Sequence, residues 1–164
     1  MKFNSIYYIL IIFIIIYICC YFIFPPTIQI LQTNITDFNF NLLYLRQPIV
    51  IPDYLEDTEK LINSWFNYNI INYDNDDNND NNDDWKFNKN KYLFINAIED
   101  TEIIIYKASI YSIIPDENDR IIAIKLEKKQ SLILPYKWKY YIKRNNVNIW
   151  KIDDIITYFL KFVF

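Results

Sequence analysis

The chain of 164 residues contains no glycine. Glycine is the residue that enters the left-handed backbone region freely, so every tight turn here needs another solution. Asn, Asp and Pro are the remaining turn formers, and the chain holds twenty Asn. Ile, Asn, Lys, Tyr and Phe make up 95 of the 164 residues, and all five are read from A/T-rich codons. The missing glycine is therefore read as coding bias of an A/T-rich genome, such as that of a large DNA virus or a protozoan parasite.

Histidine is absent as well. That excludes an imidazole base, a His-paired nucleophile and a His metal ligand. Without glycine there is no phosphate-binding Gly loop, no dinucleotide turn and no G-x-S-x-G elbow. The two cysteines, Cys19 and Cys20, are adjacent, which excludes a disulfide framework and a structural zinc site. No cofactor, metal or catalytic residue is expected on these grounds.

Residues 1–5 read as a short N-terminus and residues 6–24 as a transmembrane α-helix. From Ile6 to Phe24 no charge interrupts the apolar run, and Pro25-Pro26 ends it. As a helix it covers roughly 28 Å, close to the hydrocarbon thickness of a bilayer. The run is longer than a signal peptide's apolar region and no small-residue cleavage site follows, so it reads as an uncleaved anchor. Lys2 precedes the span, and the next basic residue is Arg46. The positive-inside rule then leaves the N-terminus cytosolic and exports the C-terminal part. Asn34-Ile35-Thr36 is a glycosylation sequon just beyond the span.

Residues 25–46 read as a stalk and 47–164 as one β-rich domain. Gln47–Pro52 reads as a buried strand. A helix follows, capped by Asp53 with Glu56 completing a capping box; Tyr54, Leu55, Leu61, Ile62, Trp65 and Phe66 share one face. Residues 74–84 (DNDDNNDNNDD) hold six Asp and five Asn. They bury no apolar surface and read as a disordered insert. As a calcium loop the segment lacks the central Gly and the closing Glu. Strands are expected at 92–98, 102–108, 110–114, 120–126, 131–135, 138–143 and 147–152, joined as antiparallel hairpins, with a tight turn at Asn145-Asn146. Asp153 or Asp154 caps a last helix, 155–164. Only Thr157 and Lys161 are polar there, so it is expected to pack in the core, with an oligomer or partner interface or the membrane as the alternatives. The fold class expected is a transmembrane helix plus a mainly-β (α+β) domain, an antiparallel sandwich or partial double-stranded β-helix with two short helices.

In the segment 130–143, Leu132, Leu134, Tyr136, Trp138, Tyr140 and Ile142 alternate with Ile133, Lys137, Lys139, Tyr141 and Lys143. Ile124–Leu126, the run Leu132–Pro135 and Trp138 resemble the closing strands of cupin-like and JmjC-type double-stranded β-helix domains. Gln47–Ile51 resembles the opening strand of the same domains. The resemblance implies an Fe(II) site with two His and a carboxylate, and it puts Tyr140 where the distal His would stand. The Gly expected before the apolar strand is replaced by Lys128-Lys129-Gln130. The oxygenase chemistry is therefore expected to be lost.

Lys137, Trp138, Lys139, Tyr140, Lys143 and Arg144 form the candidate ligand or partner surface. The alternative is a solvated strand face whose lysines protect a sheet edge. The net charge of −3 argues against nucleic acid. Asp53, Glu56, Asp57, Asp100, Glu102, Asp153 and Asp154 are the carboxylates available to a carboxylate-dependent enzyme. The leading expectation is a non-catalytic single-pass membrane protein, a viral membrane component by its composition, that displays an interaction or structural domain. The alternatives are a degenerate cupin-like domain binding a ligand or glycan without metal, and a membrane-anchored carboxylate enzyme.

Overall fold

A computed structural model describes residues 2–22, 27–75, 85–107, 115, 119–143 and 146–161. The expected strand 110–114, most of the acidic insert (76–84), Pro25-Pro26, Arg144, Asn145 and residues 162–164 lie outside the described residues. The protein is mainly β, of the α+β class, with two sheets and four α-helices among the described residues.

α1 runs from Lys2 to Phe22. Its described side chains are those of 7–16 and Cys19, all exposed. Ten residues of helix cover about 15 Å, half a hydrocarbon core. Among the described residues no helix is long and apolar enough to cross a membrane.

The first sheet orders its strands as β1 (Leu31–Gln32), β2 (Ile49–Ile51), β8 (Ser131–Pro135), β5 (Tyr92–Ala97), β10 (Val147–Asp153) and β3 (Ile70–Asn75). The second holds β4 (Lys86–Phe87), β9 (Lys139–Ile142), β6 (Thr101–Tyr106) and β7 (Ile121–Leu126). All pairings are antiparallel except β1 with β2. From β3 onward the chain alternates between the sheets, staying in one only for the β6–β7 hairpin. The expected run of hairpins is thus corrected: β9 and β10, either side of Asn145-Asn146, belong to different sheets.

The sequence pattern explains the layering. In β5, Leu93, Ile95 and Ala97 face the second sheet, where they meet Ile103, Ile105, Leu126, Trp138, Tyr140 and Ile142 in one buried cluster. Tyr92 and Phe94 face the other way, onto a second cluster with Ile49, Ile51, Ile133, Trp150 and Ile152. β5 and β8 are buried at every position, which is why they read as continuous rather than alternating runs.

The outer cluster is roofed by α3 (Thr58–Trp65), through Ile62 and the following Phe66, and by Leu43 of α2 (Asn41–Tyr44). α3 starts later than expected. Asp57, not Asp53, caps it by accepting from the Lys60 N–H at 3.0 Å, and Asp53 instead accepts from the Ile35 N–H. The expected stalk is also corrected over 27–46. Leu31 pairs beside Ile49, Ile28 and Ile30 pack on the inner cluster, and Gln47 bonds Gln29 N and Thr27 O.

Among the described residues positive φ falls on Arg46 (53°), Lys129 (67°) and Lys137 (70°). Lys129 is the third residue of a turn closed by Gln130 N to Glu127 O at 3.0 Å, a position that favours glycine. A left-handed non-glycine residue costs about 1–2 kcal/mol, and glycine gives back roughly 0.5–1 kcal/mol through the unfolded chain. Lys129→Gly is therefore expected to hold or raise the urea midpoint of the full chain in detergent, and Lys129→Val to lower it. Both variants lose the Lys129 ammonium over the Tyr54 ring, so their difference reports the backbone alone. Equal midpoints would contradict the strain assignment.

Candidate functional site

The six residues expected to form one surface are separated by the fold. Trp138 and Tyr140 lie in the inner apolar cluster at 0% and 6% exposure. Trp138 Nε1 donates to the Arg46 carbonyl. Lys139 points out of the second sheet but is only 1% exposed, with its Nζ 6.0 Å from the Phe87 ring centre and 5.7 Å from that of Tyr106. Trp85 crosses Tyr106 edge-on at 4.8 Å and contacts Tyr141. Lys137 is buried in the β8–β9 turn, where its N–H donates to the Asn88 carbonyl. Lys143 is exposed and pairs with Glu102 at 2.9 Å, and Arg144 lies outside the described residues. Asn34 is exposed and makes no capping hydrogen bond through its side chain.

The iron site that the resemblance implies does not fit these residues. Tyr140 sits opposite Lys86 in the β4–β9 register, so the two share a face, and Asn88 follows two residues on. A lysine, an amide and a phenol are not a ferrous donor set. Among the described residues no three His, Cys, Asp or Glu side chains gather where they could hold a metal.

Asn88 is consumed structurally. Its Nδ2 donates to the Leu134 and Pro135 carbonyls at 2.9 and 2.8 Å, and its Oδ1 accepts from Asn90 N at 2.9 Å. Asn90 Oδ1 accepts from Lys161 Nζ, which also pairs with Asp153. Asp153 is fully buried and further accepts from Lys91 N at 2.9 Å and Thr157 Oγ1 at 3.3 Å. Asp154 caps α4 (Ile155–Leu160) in a capping box with Thr157 and pairs with Lys91 at 2.7 Å. This network closes one end of the two-sheet body. The sequence marked only part of it: Thr157 and Lys161 are the two polar positions of the last helix, four apart. Asn88, Asn90 and Lys91 carried no signal, because their partners lie more than forty residues away.

Two further candidate carboxylates are engaged, and Glu56 is exposed on the surface. Asp100 accepts from Lys128 N at 2.9 Å, and Glu102, held below the ordinary carboxylate value by its hydrogen bond to Lys143, sits at the surface. An open groove of about 490 Å³ at the opposite end is lined by Glu56, Asp57, Tyr73, Asn96, Lys129 and Trp150 among others. Tyr73 donates to Asn148 across it at 2.8 Å.

No protein-family model, curated protein or solved structure matches the chain.

Burial pushes the Lys137 and Lys139 ammonium groups below the ordinary lysine value; Arg46 adds to this at Lys137, and Asp119 opposes it at Lys139. The unfolded chain then binds more protons than the folded one between the depressed values and the ordinary 10.5. Stability therefore rises with pH through that window. Tyr92, pushed up to about 12 by burial, acts in the opposite sense only above its ordinary value of 10. The urea midpoint in detergent should climb as the pH rises toward about 10, and Lys139→Met should flatten the climb. A slope unchanged in Lys139→Met would contradict the burial of that ammonium.

Proposed function

We propose that the chain is a single-pass membrane protein that displays a non-catalytic interaction or structural domain, with α1 as its anchor. The observation that carries this reading is α1 itself. Its backbone is helical over 21 residues, about 31 Å, and no charge follows Lys2 until Asp37. The ten described side chains of 7–16 are all large and apolar, and each is 39–67% exposed around the whole circumference. A helix apolar on every side needs an apolar surrounding, and lipid supplies one. In this reading the N-terminus is cytosolic and the domain exported, which makes exposed Asn34 available for glycosylation. The composition adds a virion or viral-factory membrane of a large DNA virus as the setting.

The displayed domain is read as a double-stranded β-helix. β3–β10 alternate between sheets in the order expected of that architecture, with β10 between β3 and β5 and β9 between β4 and β6. Its interior is occupied by Leu93, Ile95, Leu134, Trp138 and Tyr140, which favours a filled structural body over a ligand held inside the barrel. A cupin-like ancestry supplies the framework, and the chemistry of its metal site is gone.

Carbonate extraction tests the anchor. The full chain should stay with the membrane pellet. Replacing Ile12 and Ile15 together by Asp, each costing about 2.5–3.5 kcal/mol of insertion free energy at a helix centre, should release it. Release of the parent chain would refute the reading. The claim about the lost site is tested by Fe(II) titration, where stoichiometric binding would overturn it.

A further inference from the structure

α4 is built inside out. Thr157 is 1% exposed and, with Lys161, turns toward buried Asp153. Ile155 and Phe159 lie about 160° around the helix from Thr157 and are 66% and 64% exposed. A helix on a water-facing surface places its apolar stripe inward and its polar stripe outward. Here the polar stripe is buried in the network and the apolar stripe points away from the domain.

The rest of that end has matching chemistry. β5 begins there, and its Tyr92 lies within electrostatic reach of Tyr44, Arg46 and Asp154, which gathers the α2–β2 corner beside α4. Tyr44 and Leu45 of that corner are 78% and 51% exposed. Arg46, Lys89, Lys91, Lys137, Lys139 and Lys161 stand at this end with the acids Asp119, Asp153 and Asp154; Lys137 and Lys139 are buried, Lys91 and Lys161 pair with Asp154 and Asp153, and Lys89 is exposed beside half-buried Arg46. At the opposite end the acids Glu56, Asp57, Glu59, Glu99, Asp100 and Glu127 are interleaved with Lys60, Lys128, Lys129 and Lys143.

Chain connectivity says what this end faces. Gln47 Nε2 holds the Thr27 carbonyl at 2.6 Å, so the polypeptide joins the domain at the same end. Five residue steps separate Phe22, the last residue of α1, from Thr27. Fully extended they span at most about 18 Å. If α1 is in the bilayer, that end cannot leave its surface.

We infer that α4 and the α2–β2 corner form a lipid-facing foot, seated on the surface of the bilayer that α1 crosses. Ile155 and Phe159 enter the acyl boundary, Tyr44 sits at headgroup level, and exposed Lys89 with half-buried Arg46 faces acidic headgroups. The inference rests on the anchor reading above and deepens it by fixing which end of the domain meets lipid.

The test uses the full chain with Cys19 and Cys20 replaced by Ser. A single cysteine at Phe159→Cys, or at Lys128→Cys on the opposite end, carries an environment-sensitive nitrobenzoxadiazole dye. The chain is reconstituted in phosphatidylcholine vesicles containing phosphatidylserine and brominated lipid. A urea midpoint equal to that of the unlabelled parent shows that the dye reports from folded protein. The foot predicts several-fold stronger quenching by brominated lipid at 159 than at 128. Equal weak quenching in a chain that resists carbonate overturns the foot and leaves the anchor standing. A blue-shifted dye at 159 that brominated lipid does not quench also overturns it, and points to a second copy or a protein partner on α4. Release by carbonate instead overturns the anchor reading beneath it.

Discussion

The Asp153 carboxylate is the constraint around which one end of the domain is organised. It is fully buried, and a buried charge is tolerable only when paired and fully hydrogen-bonded. Lys161, Thr157 and the Lys91 N–H meet that need from two elements, the last helix and the start of β5. Asn90 shares the Lys161 ammonium and hands the network on to Asn88, which pins the end of β8. The last helix must then lie polar side down. Its exposed apolar stripe follows from that requirement, and so does the foot.

The central strands were legible because burial on both faces leaves an unmistakable pattern. Ser131–Pro135 is found as expected, and β5, β6, β7, β9 and β10 fall within one or two residues of their expected bounds. The capping of the last helix by Asp154 was legible for a local reason, a short acid before an apolar run. What stayed hidden depends on distant pairing. β1, β3 and β4 are edge strands recruited by a partner already in place, and nothing in Leu31-Gln32 or Lys86-Phe87 alone marks a strand. The same holds for the segment 137–143. Its alternation put Trp138 and Tyr140 on one face and Lys137 and Lys139 on the other, but it did not tell that the first face is the buried one, nor that Phe87 and Tyr106 would cover Lys139 from outside.

The glycine gap has a definite structural answer. Among the described residues Arg46, Lys129 and Lys137 take up left-handed backbone, while Asn145 of the expected Asn turn lies outside them. Each stands where two elements meet: the α2–β2 corner, the β7–β8 turn and the β8–β9 turn. Long side chains accept the strain there because their stems pack or their ammonium groups reach a ring, as Lys129 does over Tyr54 at 4.1 Å. Two of the three positions, Arg46 and Lys137, also belong to the end that joins α1.

The Asp153–Lys161 pair is the most direct place to test this account. A double-mutant cycle on urea unfolding, with Asp153→Ala, Lys161→Ala and both together, isolates their coupling. Removing one partner of a buried pair costs about 3–5 kcal/mol, because the other charge is left unpaired. The account predicts that the double variant is more stable than the sum of the single losses implies, by about 2 kcal/mol or more. Additive losses would show that the pair does not hold the end of the domain closed.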